Sequence, residues 1–192
     1  MQSGELRGLM DMEKSDLDSK LEQMAEEHGY NCIGFTTADK LEPLEDVRKM
    51  CASDKCHNYD RSWSCPPVCG TVDDYVERFS NFEKCMVFET VTELDGTFDI
   101  HTMLSANRDH KKRMIPFADE VKEIVPECLF LGAGPCTICK HCAYPDEECR
   151  YPDQQYAAME AAGLVVSSVC EAAEIPYYHG SDHIAYVSCV LY

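Results

Sequence analysis

Residues 127–149 read ECLFLGAGPCTICKHCAYPDEEC, and the stretch divides at Gly132. Before it, Glu127–Leu131 carries the apolar run of a buried strand. After it, Gly132-Ala-Gly134-Pro135 turns the chain, and thiols recur at Cys136, Cys139, Cys142 and Cys149. A strand that ends in a glycine turn and leads into a reactive loop is the plan of an α/β protein. The sheet supplies rigidity and the loops carry chemistry.

Outward from this stretch, helical and strand patterns alternate. Leu17, Leu21, Met24, Ala25 and His28 recur at helical spacing after Ser15. Ser15-x-x-Asp18 resembles a capping box, and Gly29 is a stop signal. Asn31–Thr36 reads as a strand and Leu41–Met50 as a helix. Thr71-x-x-Asp74 opens a third helix with Val72, Tyr75, Val76 and Phe79 on one face. Glu83–Thr92 is a strand, and Asp95–Gly96 reads as a hairpin turn. A helix from Thr102 to Val125 is expected to kink or break at Pro116. Gln154–Ala173 reads as a helix interrupted at Gly163. Two closing strands, Ile175–Tyr178 and Ile184–Leu191, are joined by His179–His183. The fold expected is α/β (or α+β): a mixed β-sheet with flanking helices and two cysteine-rich metal-binding loops. Residues 1–14 read as a flexible tail and 15–192 as a single iron–sulfur-binding domain, a length that can bury a core.

The formal net charge is −18, from 35 acidic and 17 basic side chains. Such a surface repels phosphate backbones and anionic membranes, so neither nucleic acid nor membrane is an expected partner. A basic protein surface is. There is no apolar run of membrane-spanning length and no apolar signal core, which predicts a cytoplasmic protein. Thirteen cysteines in such a chain are then expected to be reduced, and closely spaced reduced thiols point to metal rather than to disulfides.

The second cysteine group, Cys136-x2-Cys139-x2-Cys142-x6-Cys149, has its first three thiols within seven residues. That spacing curls around one object, and it matches the C-x2-C-x2-C run of bacterial ferredoxins, whose cubane clusters take one thiolate at each iron. Structural zinc instead favours two separated C-x2-C pairs. Gly132 and Gly134 allow close backbone approach and N–H donation to sulfur. Lys140 and Arg150 can offset the anionic charge. The first group, Cys51-x4-Cys56-x8-Cys65-x3-Cys69, is looser. Pro66 after Cys65 repeats the cysteine–proline step in which that thiol serves the other cluster. Lys55, Arg61 and the positive end of the helix opened by Thr71 can stabilise an anion there. Trp63 and Tyr59 can shield it from water or simply pack.

Taken together, Cys51-x4-Cys56-x2-Tyr59-x5-Cys65-Pro66-Pro67, Gly132-Ala-Gly134-Pro135-Cys136-x2-Cys139-x2-Cys142, Cys149-Arg150-x-Pro152 and Met159-Glu160-Ala161 before Gly163 resemble a small family described as predicted metal-binding proteins of unknown function. That family is found mainly in anaerobic bacteria and archaea. The resemblance runs from about Asn31 to the C-terminus. Asp60 stands where the family usually has Gly, Ala158 where it has Ser, and Cys69 lies outside the pattern. The resemblance implies metal binding and an anaerobic setting.

The remaining candidates read more plainly. Cys32, Cys85, Cys128, Cys170 and Cys189 sit in apolar runs as small buried hydrophobes, with an extra ligand as the alternative. His179-x3-His183 with Asp182 reads as a solvated turn, with a metal site or proton relay as the alternative. His57 and His141 adjoin cysteines and either donate to sulfur or are exposed. Gly132-x-Gly134 lacks the third glycine of a dinucleotide fingerprint. The function expected is electron transfer through two 4Fe–4S clusters to or from a protein redox partner with a basic docking surface. The alternatives are a cluster enzyme with an open iron, should Cys69 not ligate, and a zinc-stabilised binding module.

Overall fold

The computed structural model describes residues 16–96 and 98–192. The expected tail and the Ser15 cap lie outside the described residues. Helix α1 covers 16–27 and leads through Gly29, at a φ of 81°, to strand β1, Cys32–Thr37. There follow α2 (Glu45–Ala52), α3 (Val72–Phe79), β2 (Lys84–Glu93), α4 (Ile100–Ile124), β3 (Leu129–Gly132), β4 (Ala157–Ala158), α5 (Val166–Ala172) and β5 (His183–Leu191). The strands form one five-stranded sheet in the order β1-β2-β5-β3-β4. Only β3 and β4 pair in parallel; the other pairings are antiparallel. This is the mixed-sheet α/β fold expected.

Strand alternation sends β2 side chains to two cores. Met86 and Phe88 join Val190 and Phe130 beneath α1 and α4, against Leu21, Ala25, Phe117 and Val121. Cys85 and Val87 join Val187, Cys189 and Leu191 beneath α3 and α5, against Tyr75, Phe79, Val169 and Cys170. Helices therefore cover both faces, and a strand buried on both sides reads as a continuous apolar run. Fully burying one such large side chain contributes roughly 1.5–3 kcal/mol.

Each face also holds a buried titratable group. On the α4 side, His110 joins Thr90 Oγ1 at 2.9 Å to Ser188 Oγ at 2.8 Å. On the α5 side, Glu89 is 0% exposed.

Four local expectations are corrected. Asp95–Gly96 is not a hairpin turn, because the strand that returns beside β2 is β5, from the far end of the sequence; the turn leads instead to α4, capped where Asp99 Oδ1 accepts the Thr102 N–H at 3.0 Å. Helix α4 runs unbroken through Pro116. Pro116 and Lys112 are both exposed, so water can serve the carbonyl that proline leaves free, while the buried face of α4 offsets the cost. Gln154–Ala173 is not one helix: the Met159 N–H donates to the Gly132 carbonyl at 3.1 Å, drawing β4 onto β3 against the local helix preference of an Ala- and Met-rich segment. Finally, Ile175–Tyr178 forms no strand; the Ile175 N–H turns back to Cys170 O at 3.0 Å.

Candidate metal centre

The first cysteine loop begins in the last turn of α2, which carries Cys51. Asp54, His57 and Asp60 then take left-handed backbone at φ of 51°, 58° and 54°. Asp54 Oδ1 accepts the Tyr59 N–H at 3.0 Å, and the Asp60 N–H donates to Pro66 O at 2.7 Å. These tight turns fold the loop back on itself. Cys51, Cys56, Cys65 and Cys69 converge closely enough for their charges to act on one another. Burial first, then the neighbouring thiols, push Cys65 up to about 11, against a hydrogen bond from Ser64. Burial likewise raises Cys51, with Arg48 opposing. Protons held by such thiols are the ones a bound metal displaces.

The second loop gathers Cys136, Cys139, Cys142 and Cys149 in the same way. Burial raises Cys136, opposed by the Ile138 N–H at its sulfur. Cys142 goes the other way. Burial alone would raise it, but the N–H groups of Tyr144, Trp63 and Ala143 and the Ser62 hydroxyl outweigh burial and hold it low. Hydrogen bonds to the charged form favour a thiolate. Within each loop the thiols act on one another: Cys56, Cys65 and Cys69 neighbour Cys51, and Cys139, Cys142 and Cys149 neighbour Cys136.

The two loops are joined by residues whose role the cysteine spacing does not reveal. Ser64, fully buried, has its Oγ 3.0 Å from the Ser62 hydroxyl, 3.7 Å from Cys65 Sγ and 3.0 Å from the Cys136 N–H it accepts. Lys111, on α4, donates to Pro135 O at 2.8 Å and lies near Cys136, Cys65 and Glu160. Burial lowers its pKa, which those anionic neighbours oppose. Arg48, on α2, donates to Cys69 Sγ at 3.4 Å, to Gly70 O at 2.6 Å and to Ala161 O. The Met159-Glu160-Ala161 segment backs the first loop: the Cys51 thiol faces Glu160 O at 3.8 Å. Helical spacing could have flagged Arg48, three residues before Cys51; nothing in sequence points to Lys111.

Other expected helpers are placed differently. Trp63 lies over the second group, not the first. It lines the small space beside Cys136, Cys139, Cys142 and Cys149 and donates from Nε1 to Glu147 O at 3.1 Å. Tyr59 and Lys55 do border the first group, but Arg61 pairs with Asp54 Oδ2 at 3.3 Å. The N-terminus of α3 is satisfied by its own capping box of Thr71 and Asp74. Arg150 reaches the Cys139 sulfur and Glu147, which raise its pKa, whereas Lys140 is exposed. Gly134, at a φ of 70°, turns the chain into the second loop. Gly132 ends β3 against Met114. His57 and His141 are exposed and lend backbone carbonyls to Arg61 at 3.4 Å and Arg150 at 3.1 Å. His183 pairs with Asp182 at 2.9 Å near the surface, as a solvated turn would, but His179 turns inward to Glu89.

None of the thirteen cysteines is in a disulfide. Among the described residues, no three sulfurs of either loop lie within 4.8 Å of one another. Four thiols in each loop are a donor set that thiolate-bound metals accept. A cleft of about 600 Å³ opens beside Cys51, Cys56 and Cys65, bordered by Pro135 and Glu160. Among the described residues no helix is long and apolar enough to cross a membrane.

Residues 35–192 match the model of a family described as predicted metal-binding protein (DUF2284). No curated protein matches the chain. Two solved structures are similar: an epoxyqueuosine reductase from Streptococcus thermophilus, at 12% identity and a TM-score of 0.46, and a selenomethionine-labelled epoxyqueuosine reductase, at 12% identity and a TM-score of 0.45. Each likeness covers 92% of this chain and 45% of the other, so the chain spans less than half the length of the structures it matches.

Proposed function

The chain belongs to this family of predicted metal-binding proteins, and from that premise we propose that it holds two 4Fe–4S clusters and transfers electrons to or from a protein redox partner. Cys51, Cys56, Cys65 and Cys69 ligate one cluster, and Cys136, Cys139, Cys142 and Cys149 the other. The observation that supports this reading is that the thiols act on one another within each loop, Cys51, Cys56, Cys65 and Cys69 in the first and Cys136, Cys139, Cys142 and Cys149 in the second. Bound clusters supply one-electron carriers whose potential follows local charge, hydrogen bonding and exposure.

The protein's own residues do the rest. Arg48 and Lys111 place positive charge against the anionic thiolates. The N–H groups around Cys142 favour its thiolate form. Ser64 fixes the two loops to each other, and Trp63 keeps water from the second. The −18 surface favours docking on a basic partner, an association that weakens as salt rises. The test is anaerobic purification with iron and sulfide analysis. About eight of each per chain are expected, and zinc without sulfide overturns the proposal.

A second reading rests on the cleft of about 600 Å³ beside the first group, which leaves room for a small substrate against a cluster. Cys69→Ala discriminates. Loss of the first cluster supports closed four-thiol ligation; an unchanged iron content and spectrum support an open iron and an enzyme.

A further inference from the structure

A second donor set lies away from both loops. Cys32 opens β1 and stands directly opposite Glu89 in the β1–β2 register. Glu89 lies on the face of β2 that packs against α5, where Cys85 and Val87 are core residues. A carboxylate in that position is 0% exposed, and burying it is costly unless it is compensated. What surrounds it is a set of metal donors. His179 Nε2 is 2.8 Å from Glu89 Oε2, and the Cys170 thiol donates to Oε1 at 3.3 Å. The Cys32 thiol bonds to the same carboxylate. The donor atoms of Cys32, Glu89 and His179 all lie within 4.8 Å of one another.

We propose that Cys32, Glu89, His179 and Cys170 form a mononuclear site for a zinc-type divalent cation, distinct from the two cysteine loops. The four donors come from β1, β2, α5 and the segment between α5 and β5. Two thiolates, one imidazole and one carboxylate are all ligand types zinc accepts, and its tetrahedral ligands stand about 3.3–3.8 Å apart. Cys32, Glu89 and His179 form the close three-donor set, and Cys170 meets it through Glu89 Oε1. Burial, Glu89 and, for Cys170, the thiols of Cys32 and Cys189 raise both cysteines. No thiol of the loops acts on either one. Binding a cation displaces those two protons and turns a costly buried carboxylate into a ligand. The site ties β1, β2 and α5 together on the α5 face of the sheet, so its role is structural.

The test measures zinc, iron and sulfide together in the anaerobically purified full chain, then in Glu89→Gln and His179→Gln. About one zinc per chain is expected in the unaltered protein, falling at least tenfold in both variants while iron and sulfide stay constant. The second variant guards against misfolding, because His179 is partly exposed at 16%. Cobalt(II) added to cluster-loaded protein provides a second readout: thiolate-to-cobalt charge-transfer absorption that both variants abolish. Absence of zinc and cobalt binding in the unaltered chain, or equal binding in the variants, overturns the site and leaves a buried Glu89–His179 hydrogen bond. Iron and sulfide report on the loops independently, so failure of one proposal is distinguishable from failure of the other.

Discussion

Ser64 Oγ accepts the Cys136 N–H at 3.0 Å, so the first loop holds the second at the residue where its thiols begin. The same oxygen is 3.7 Å from Cys65 Sγ. One buried hydroxyl thus spans the boundary between the two groups. Ser64→Ala leaves the Cys136 N–H without its partner, at about 1–3 kcal/mol. Thermal unfolding of the variant is expected at lower temperature, with faster loss of iron on exposure to air.

Arg48 makes its bonds to Cys69 Sγ, Gly70 O and Ala161 O from a partly buried position. Arg48→Gln removes the guanidinium that ties the first loop to the Glu160 segment. Iron per chain is expected to fall from about eight towards about four, with the second group's spectrum retained. Lys111 is the complementary case. Lys111→Met deletes a positive charge beside Cys136 and Cys65, which makes reduction harder. The midpoint potential should move to more negative values with iron content unchanged, as electrochemical titration can show.

His110 sets an acid limit on the scaffold. Burial pushes it down to about 3, assisted by Lys111 and Arg113, and the neutral ring bridges Thr90 and Ser188. The unfolded chain protonates this residue near 6.5 and the folded chain near 3. Between those values the unfolded state binds more protons, so stability is full above 6.5 and falls as pH drops toward 3. The effect is at most a few kcal/mol. His110→Gln is expected to be less stable at neutral pH but to lose less on acidification. Parallel denaturant titrations at pH 7 and pH 4.5 measure the difference.

Gly34 is where α5 meets β1. A Cβ there would collide with the Ala173 carbonyl and with Ile175. Backbone cannot yield as a flexible side chain does, so Gly34→Ala should cost roughly 1–3 kcal/mol. The same displacement moves Cys170 relative to Cys32, and thermal melts with and without added zinc test both consequences.

The strands were legible because their periods are local. β2 and β5 carry continuous apolar runs, and a short thiol-rich loop announces its chemistry by spacing alone. The capping box of Thr71 and Asp74 is equally local, and both bonds form. What escaped reading depends on distant partners. The segment from Pro152 to Ala162 has helix-favouring residues yet is held extended and in tight turns by β3 and α2. Arg48 and Lys111 are ordinary helix cations until the fold aims them at sulfur. Trp63, twelve residues from Cys51 and two from Cys65 by the numbering, lines the space beside the other loop's thiols. Asp60, where the resembling family has Gly, takes left-handed backbone at a φ of 54°, which accounts for the preference at that position.

β5 is the last strand in sequence and sits between β2 and β3, its only shared neighbours. During synthesis both thiol loops leave the ribosome before the strand that unites their supports. Until residues 183–191 are available, β2 and β3 each present a raw edge with no common template. Joining of β2 and β3 into one sheet thus waits on residues 183–191, so the supports of the two thiol loops are fixed to each other only once β5 is in place.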